Sequence, residues 1–82
     1  MRYQLFIADN TRRQLRALPK EVRRSVGFRM ELLRDDLNGD VKKLEATKNR
    51  YRLRVGTHRV LFTLEGDVIA VYAVKDRKDA YE

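Results

Sequence analysis

The sequence predicts an α+β fold: a mostly antiparallel sheet of about four strands packed on two N-terminal helices, in the order β-α-α-β-β-β. Three observations carry that expectation. Val22, Val26, Met30, Leu33 and Leu37 form one apolar stripe at helical spacing. Three runs of alternating character follow between Arg50 and Val74, divided by turns that contain glycine. The length, 82 residues, suits one domain spanning residues 1–82. Hydrophobic residues make up 43%, enough for a single core in a domain of this size.

The elements can be justified in chain order. Residues 3–7 are a short apolar run that suits a first strand. Asp9, Asn10 and Thr11 then offer N-cap side chains, and Thr11-x-x-Gln14 reads as a capping box. A short helix through Leu15 and Leu18 should end near Pro19, because the residue before proline is biased away from helix. A second helix should start at Pro19 or Lys20 and run to about Leu37, with Asn38-Gly39-Asp40 as its stop. Gly27 within it costs about 1 kcal/mol relative to alanine and suggests close packing against another element. Residues 41–48 read as a polar connector without a period. Strands are expected at residues 50–55, 59–64 and 68–74, with Gly56-Thr57-His58 and Glu65-Gly66-Asp67 as turns. Leu53, Val55, Val60, Phe62 and Leu64 should line the buried face. Arg52, Arg54, Arg59 and Thr63 should line the open one.

Composition narrows the function. Nineteen Lys and Arg against twelve Asp and Glu give a net charge of +7. That balance points to nucleic acid, an anionic membrane surface or an acidic protein, beside the plain reading of a domain with surplus charge. Thirteen of the nineteen cations are arginine, which favours phosphate because the guanidinium fork binds it bidentately. Without cysteine, disulfides and thiolate zinc sites are excluded. No long apolar run suggests a signal peptide or a membrane span, so the cytoplasm is the expected location and no membrane partner is expected. There is no carboxylate cluster with ligand spacing, no glycine-rich phosphate loop and no nucleophile elbow. No metal or cofactor is expected. His58 is the one histidine, and in a turn it reads more readily as an ordinary turn residue than as a catalyst.

What remains is an arginine cluster with tyrosines. Arg50, Arg52 and Arg54 alternate with Tyr51, Leu53 and Val55, which puts the cations on one face of a strand. Arg52, Arg54 and Arg59, with Arg77 and Tyr81 from the tail, could surround one phosphodiester. Fixed cations stabilise the charge that builds on phosphate in a transition state. RNA cleavage also needs a base for the 2′-hydroxyl and an acid for the leaving 5′-oxygen. Arginine is a poor base, whereas Tyr81 could serve if neighbouring cations favour its phenolate. On these residues alone, binding without catalysis is slightly the better reading.

The chain resembles the RelE family of bacterial toxin–antitoxin toxins, within the wider RelE/ParE superfamily. The resemblance is carried by L-P-K-E-V-R-R at residues 18–24 and V-K-K-L at 41–44. Its most specific pieces are Y-R-L-R-V-G-T-H-R-V-L-F at 51–62 and V-Y-A-V-K-D-R-K-D-A-Y at 71–81. It covers nearly the whole chain. It implies a ribosome-dependent, metal-independent mRNA endoribonuclease that cuts in the A site by 2′-hydroxyl attack. By analogy, Arg59 would hold the scissile phosphate, Tyr81 would orient the substrate and act as candidate base, and Arg77 would serve the leaving oxygen. Arg52 and Arg54, with Arg50 and Lys43, would bind RNA phosphates. Relatives often carry lysine where this chain has Arg52 and Arg54, and Lys75-Asp76 also departs from the family pattern. The implied partners are a cognate antitoxin, mRNA and the ribosome with its 16S rRNA, with operator DNA as a ligand of the toxin–antitoxin complex. Two alternatives stand beside this one: a ParE-like inhibitor of DNA gyrase and a non-catalytic nucleic-acid-binding module.

Overall fold

The computed structural model describes residues 2–44 and 49–76. Its elements are β1 (Gln4–Ile7), α1 (Asp9–Arg16), α2 (Lys20–Leu33), β2 (Asp40–Lys43), β3 (Arg50–Val55), β4 (His58–Glu65) and β5 (Val68–Asp76). The strands form one sheet in the order β1-β5-β4-β3-β2. β1 runs parallel to β5, and the other pairs are antiparallel. The expected α+β class is therefore present, with one strand more than foreseen.

The extra strand lies in the segment expected to be a connector. Residues 40–43 carry no alternating pattern of their own. Pairing with the edge of β3 supplies main-chain hydrogen bonds that local propensity does not. Leu44 N–H extends the ladder to Arg50 O at 2.9 Å. A short edge strand bearing Asp40, Lys42 and Lys43 is poorly suited to pairing with another chain.

The first helix does not begin with the expected capping box. The N-cap of α1 is Ala8, with no side-chain cap. Thr11 is fully buried. Gln14 Oε1 instead accepts the Val74 N–H at 3.0 Å and ties α1 to β5. Pro19 precedes α2, whose fixed φ suits a helix start. α2 ends at Leu33, four residues before Leu37. The residue before β1 holds that end: Tyr3 N–H donates to Arg34 O at 2.8 Å, and Arg34 Nε donates to Tyr3 O at 3.1 Å. Arg2 pairs with Asp35 at 2.8 Å. Asp36 and Leu37 then take left-handed φ values of 55° and 58°, and the turn still packs Leu37 against the core. Gly27 does not mark close packing, since a Cβ there would meet nothing within 4 Å.

Val26, Met30 and Leu33 of α2 meet Leu53, Val55, Val60, Phe62, Ile69, Val71 and Val74 in the core. Leu64 of the expected buried face is only partly buried and packs on the margin. Tyr51 stacks on Phe62, centroid to centroid 5.5 Å. The core residues Val71 and Val74 are three apart, not two or four. A β-bulge opposite Leu61 and Phe62 explains this: Phe62 pairs with Val71 and Leu61 with Ala73, leaving Tyr72 as the extra residue.

Both hairpin loops have two residues and open on a left-handed glycine, Gly56 at φ 58° and Gly66 at φ 59°. His58 accordingly belongs to β4 and not to the turn. The demand at Gly39 is stricter. Its φ is 131°, and a Cβ there would lie 2.7 Å from Cδ1 of the fully buried Leu53. Gly39→Ala is expected to destabilise the domain by about 1–3 kcal/mol, read as a lower urea midpoint with an unchanged m-value.

Candidate nucleic-acid interface

The helices cover one face of the sheet. The other face is organised by strand register into three rows. The first crosses Phe6, Ala70, Thr63 and Arg50. The second crosses Ala73, Leu61, Arg52 and Lys42. The third crosses Lys75, Arg59, Arg54 and Asp40. Neighbouring strands stand about 4.8 Å apart. Each row therefore sets its side chains at a pitch that long cations can bridge.

Arg50, Arg52, Arg54 and Arg59 are thus brought onto one face, as their alternation implies. Lys43 is not with them. It pairs with Tyr51, whose side chain faces the helices, so Lys43 lies on the opposite face. Lys42 and Lys75 take its place beside the arginines. Lys75 was hidden by the bulge at Tyr72, because strict alternation from Ile69 and Val71 would have turned residue 75 toward the helices. Lys42 needed knowledge that residues 40–43 form a strand. Arg77 and Tyr81 lie outside the described residues.

The four arginines are held differently. Asp40, unforeseen here, lies 3.8 Å from Arg52 Nη1 through Oδ1 and 3.8 Å from Arg54 Nη1 through Oδ2. These are loose pairs around a mostly exposed carboxylate, and such pairs contribute little to stability. Arg52 is the most enclosed of the two arginines, its side chain 21% exposed, and its Nη1 is buried without a hydrogen-bond partner among the described residues. A buried guanidinium N–H in that state gains from an anionic oxygen. Arg50 lies over the ring of Tyr72, 5.7 Å from its centroid. Arg59 reaches only the carbonyl of its neighbour His58, at a long 3.5 Å, and pairs with no carboxylate among the described residues. Beside it in register stand two further cations, Arg54 and Lys75.

His58 faces the helix side. Its Nδ1 lies 3.3 Å from Thr57 Oγ1 and its Nε2 4.0 Å from Asp76 Oδ2. It is on the other face from the arginine rows. Among the described residues, no group of three or more His, Cys, Asp or Glu could hold a metal ion. None of their helices is long and apolar enough to cross a membrane.

A five-stranded sheet with helices on one face and guanidinium groups on the other defines a small basic domain of RelE-like fold. Comparisons with known proteins give the relation more closely. No family model matches the chain. The toxin RelE3 of Methanocaldococcus jannaschii is 31% identical over 75 residues, 85% of each chain. The RelE chain solved in the RelE–RelB complex of Pyrococcus horikoshii is 30% identical, with a TM-score of 0.79; the match covers 98% of this chain and 100% of that one. The RelB–RelE antitoxin–toxin complex from Methanococcus jannaschii gives 28% identity and a TM-score of 0.79, over 93% and 94% of the two chains. The chain belongs to the RelE family of toxins.

Proposed function

We propose that this toxin is a ribosome-dependent mRNA endoribonuclease whose substrate lies across the arginine rows. The observation that carries this reading is the state of Arg59: a guanidinium flanked by Arg54 and Lys75, with no carboxylate partner among the described residues. Such a group binds an anion without first giving up an ion pair. In the reaction, the 2′-oxygen attacks the adjacent phosphorus and the bond from phosphorus to the 5′-oxygen breaks. The products are a 2′,3′-cyclic phosphate and a free 5′-hydroxyl. One proton leaves the 2′-hydroxyl for a base and another reaches the 5′-oxygen from an acid. Arg59 would balance the charge growing on the phosphoryl oxygens. Arg52 and Arg54 would grip flanking phosphates, exchanging the loose contact with Asp40 for charge-assisted hydrogen bonds. Tyr81 as candidate base and Arg77 at the leaving oxygen are carried over from the family.

The relatives solved as RelE–RelB complexes support a second part of the proposal. A cognate antitoxin, acidic and apolar in its contact segment, would neutralise this chain by covering the basic rows. The site of action would be the cytoplasm, where translating ribosomes supply both mRNA and the 16S rRNA surface.

Induction of the protein in bacteria, with 5′-end mapping of transcripts, tests the reading. New ends confined to translated regions are expected. Growth arrest without new ends, together with inhibited supercoiling in vitro, would instead assign the toxin to the gyrase-directed branch.

A further inference from the structure

The first row of the open face ends in a feature that phosphate binding does not use. Phe6 is 61% exposed. Its neighbours Leu5 and Ile7 turn inward and pack on the core, so strand alternation leaves Phe6 on the arginine side. The bulge in β5 brings Tyr72 to the same side. Phe6, Tyr72 and Arg50 then line a hollow of about 370 Å³ whose floor includes the small residues Ala8, Thr63 and Ala70. That volume falls among small-ligand clefts, about 300–1,000 Å³. We propose that this aromatic corner is a stacking platform for an unpaired base of the RNA strand whose phosphates the arginines hold. The inference rests on the reading of this face as an RNA site and adds where a base goes.

Three features favour a nucleobase as the occupant. The hollow sets the exposed ring of Phe6 beside a half-buried tyrosine and a guanidinium, the combination on which single-stranded RNA bases stack. It is continuous with the phosphate-binding rows: Arg50 precedes Arg52 by one same-face step on β3, about 6.7 Å. A strand held at Arg52 and Arg54 therefore meets the hollow within about one nucleotide of extended chain. The one charged residue lining it, among the described residues, is Arg50, next to the arginine rows, so a polyanion approaches with its phosphates toward the arginines and its bases free to turn onto the hollow. Phe28, 63% exposed on α2, has none of this setting.

The chain contains no tryptophan, so Phe6→Trp places a single indole reporter in the hollow. The titration uses a short single-stranded RNA and an abasic strand of the same length, with binding followed independently by anisotropy of a 5′-label. Quenching by the base-bearing strand and not by the abasic one is expected. Phe6→Ala should weaken binding of the base-bearing strand about 5- to 150-fold. It should leave the salt dependence unchanged, because the phosphate contacts remain. Phe6→Tyr should restore affinity. Equal affinity for the two strands, an unquenched indole at saturation, or no binding of either strand would overturn the platform. So would a Phe6→Ala variant that loses affinity for a protein partner while RNA binding is intact. Equal affinity or an unquenched indole removes the platform alone, whereas loss of both strands also counts against phosphate binding on this face; cleavage itself is tested separately by transcript mapping.

Discussion

Arg59→Ala is expected to lower mRNA cleavage by about 100- to 1,000-fold and to relieve growth arrest while the protein stays folded. The size follows from what the residue is asked to do. A preorganised cation aimed at developing charge is worth several kcal/mol in a transition state and little in the ground state. Arg59 donates to no carboxylate among the described residues, so its removal leaves no acid among them unpaired. It also relieves repulsion from Arg54 and Lys75 in the same row. The loss should therefore fall on kcat, with a melting temperature equal to or slightly above that of the wild type. Arg59→Lys should recover part of the rate, because charge is kept and the bidentate fork is lost. Quantifying cleaved ends after induction, with circular dichroism of the purified variants, checks both halves. Full toxicity in a folded Arg59→Ala protein would remove this residue from the site.

The second large effect is structural. Phe62→Ala is expected to cost about 3–5 kcal/mol and to leave little folded protein at 37 °C. Phe62 is fully buried, stacks on Tyr51, and sits in the middle strand of the sheet beneath α2. A chain of 82 residues buries a modest share of its surface, so its total stability lies toward the low end of the usual range of about 5–15 kcal/mol. A loss of this size would lower the melting temperature by roughly 4–8 °C per kcal/mol. Leu64→Ala, two residues on along the same face and only partly buried, is the control and should cost clearly less. Thermal melts of the two variants decide it, and equal losses would mean that the core is not centred on Phe62.

The parts of the fold that follow from repeating patterns were legible in the sequence. The stripe of α2 and the alternation of β3 needed only periodicity, and the face shared by Arg50, Arg52, Arg54 and Arg59 came with them. What was not legible depended on partners distant in the chain. β2 exists because β3 offers an edge. α2 stops early because Tyr3 and Arg2, just before β1, hold Arg34 and Asp35. Gln14 serves β5 and not its own helix end. The bulge at Tyr72 breaks the period of two, so a strict alternation misplaces everything beyond it. For the site, the same cause hid Lys42 and Asp40, put Lys43 with the wrong neighbours, and kept Phe6 from being read together with Tyr72.

The parallel pairing of β1 with β5 has a kinetic meaning. Gln4 and Asp67, hydrogen-bonded side chain to side chain, stand 63 positions apart. Closing a loop that long carries an entropic cost that must be met before its contacts reward it, and such non-local pairing slows folding. During synthesis β1 leaves the ribosome before β5, its partner in the sheet. The hollow between Phe6 and Tyr72 forms only when these two strands meet. The surface that would engage RNA thus needs both ends of the described sheet, and a chain made only as far as β4 lacks it.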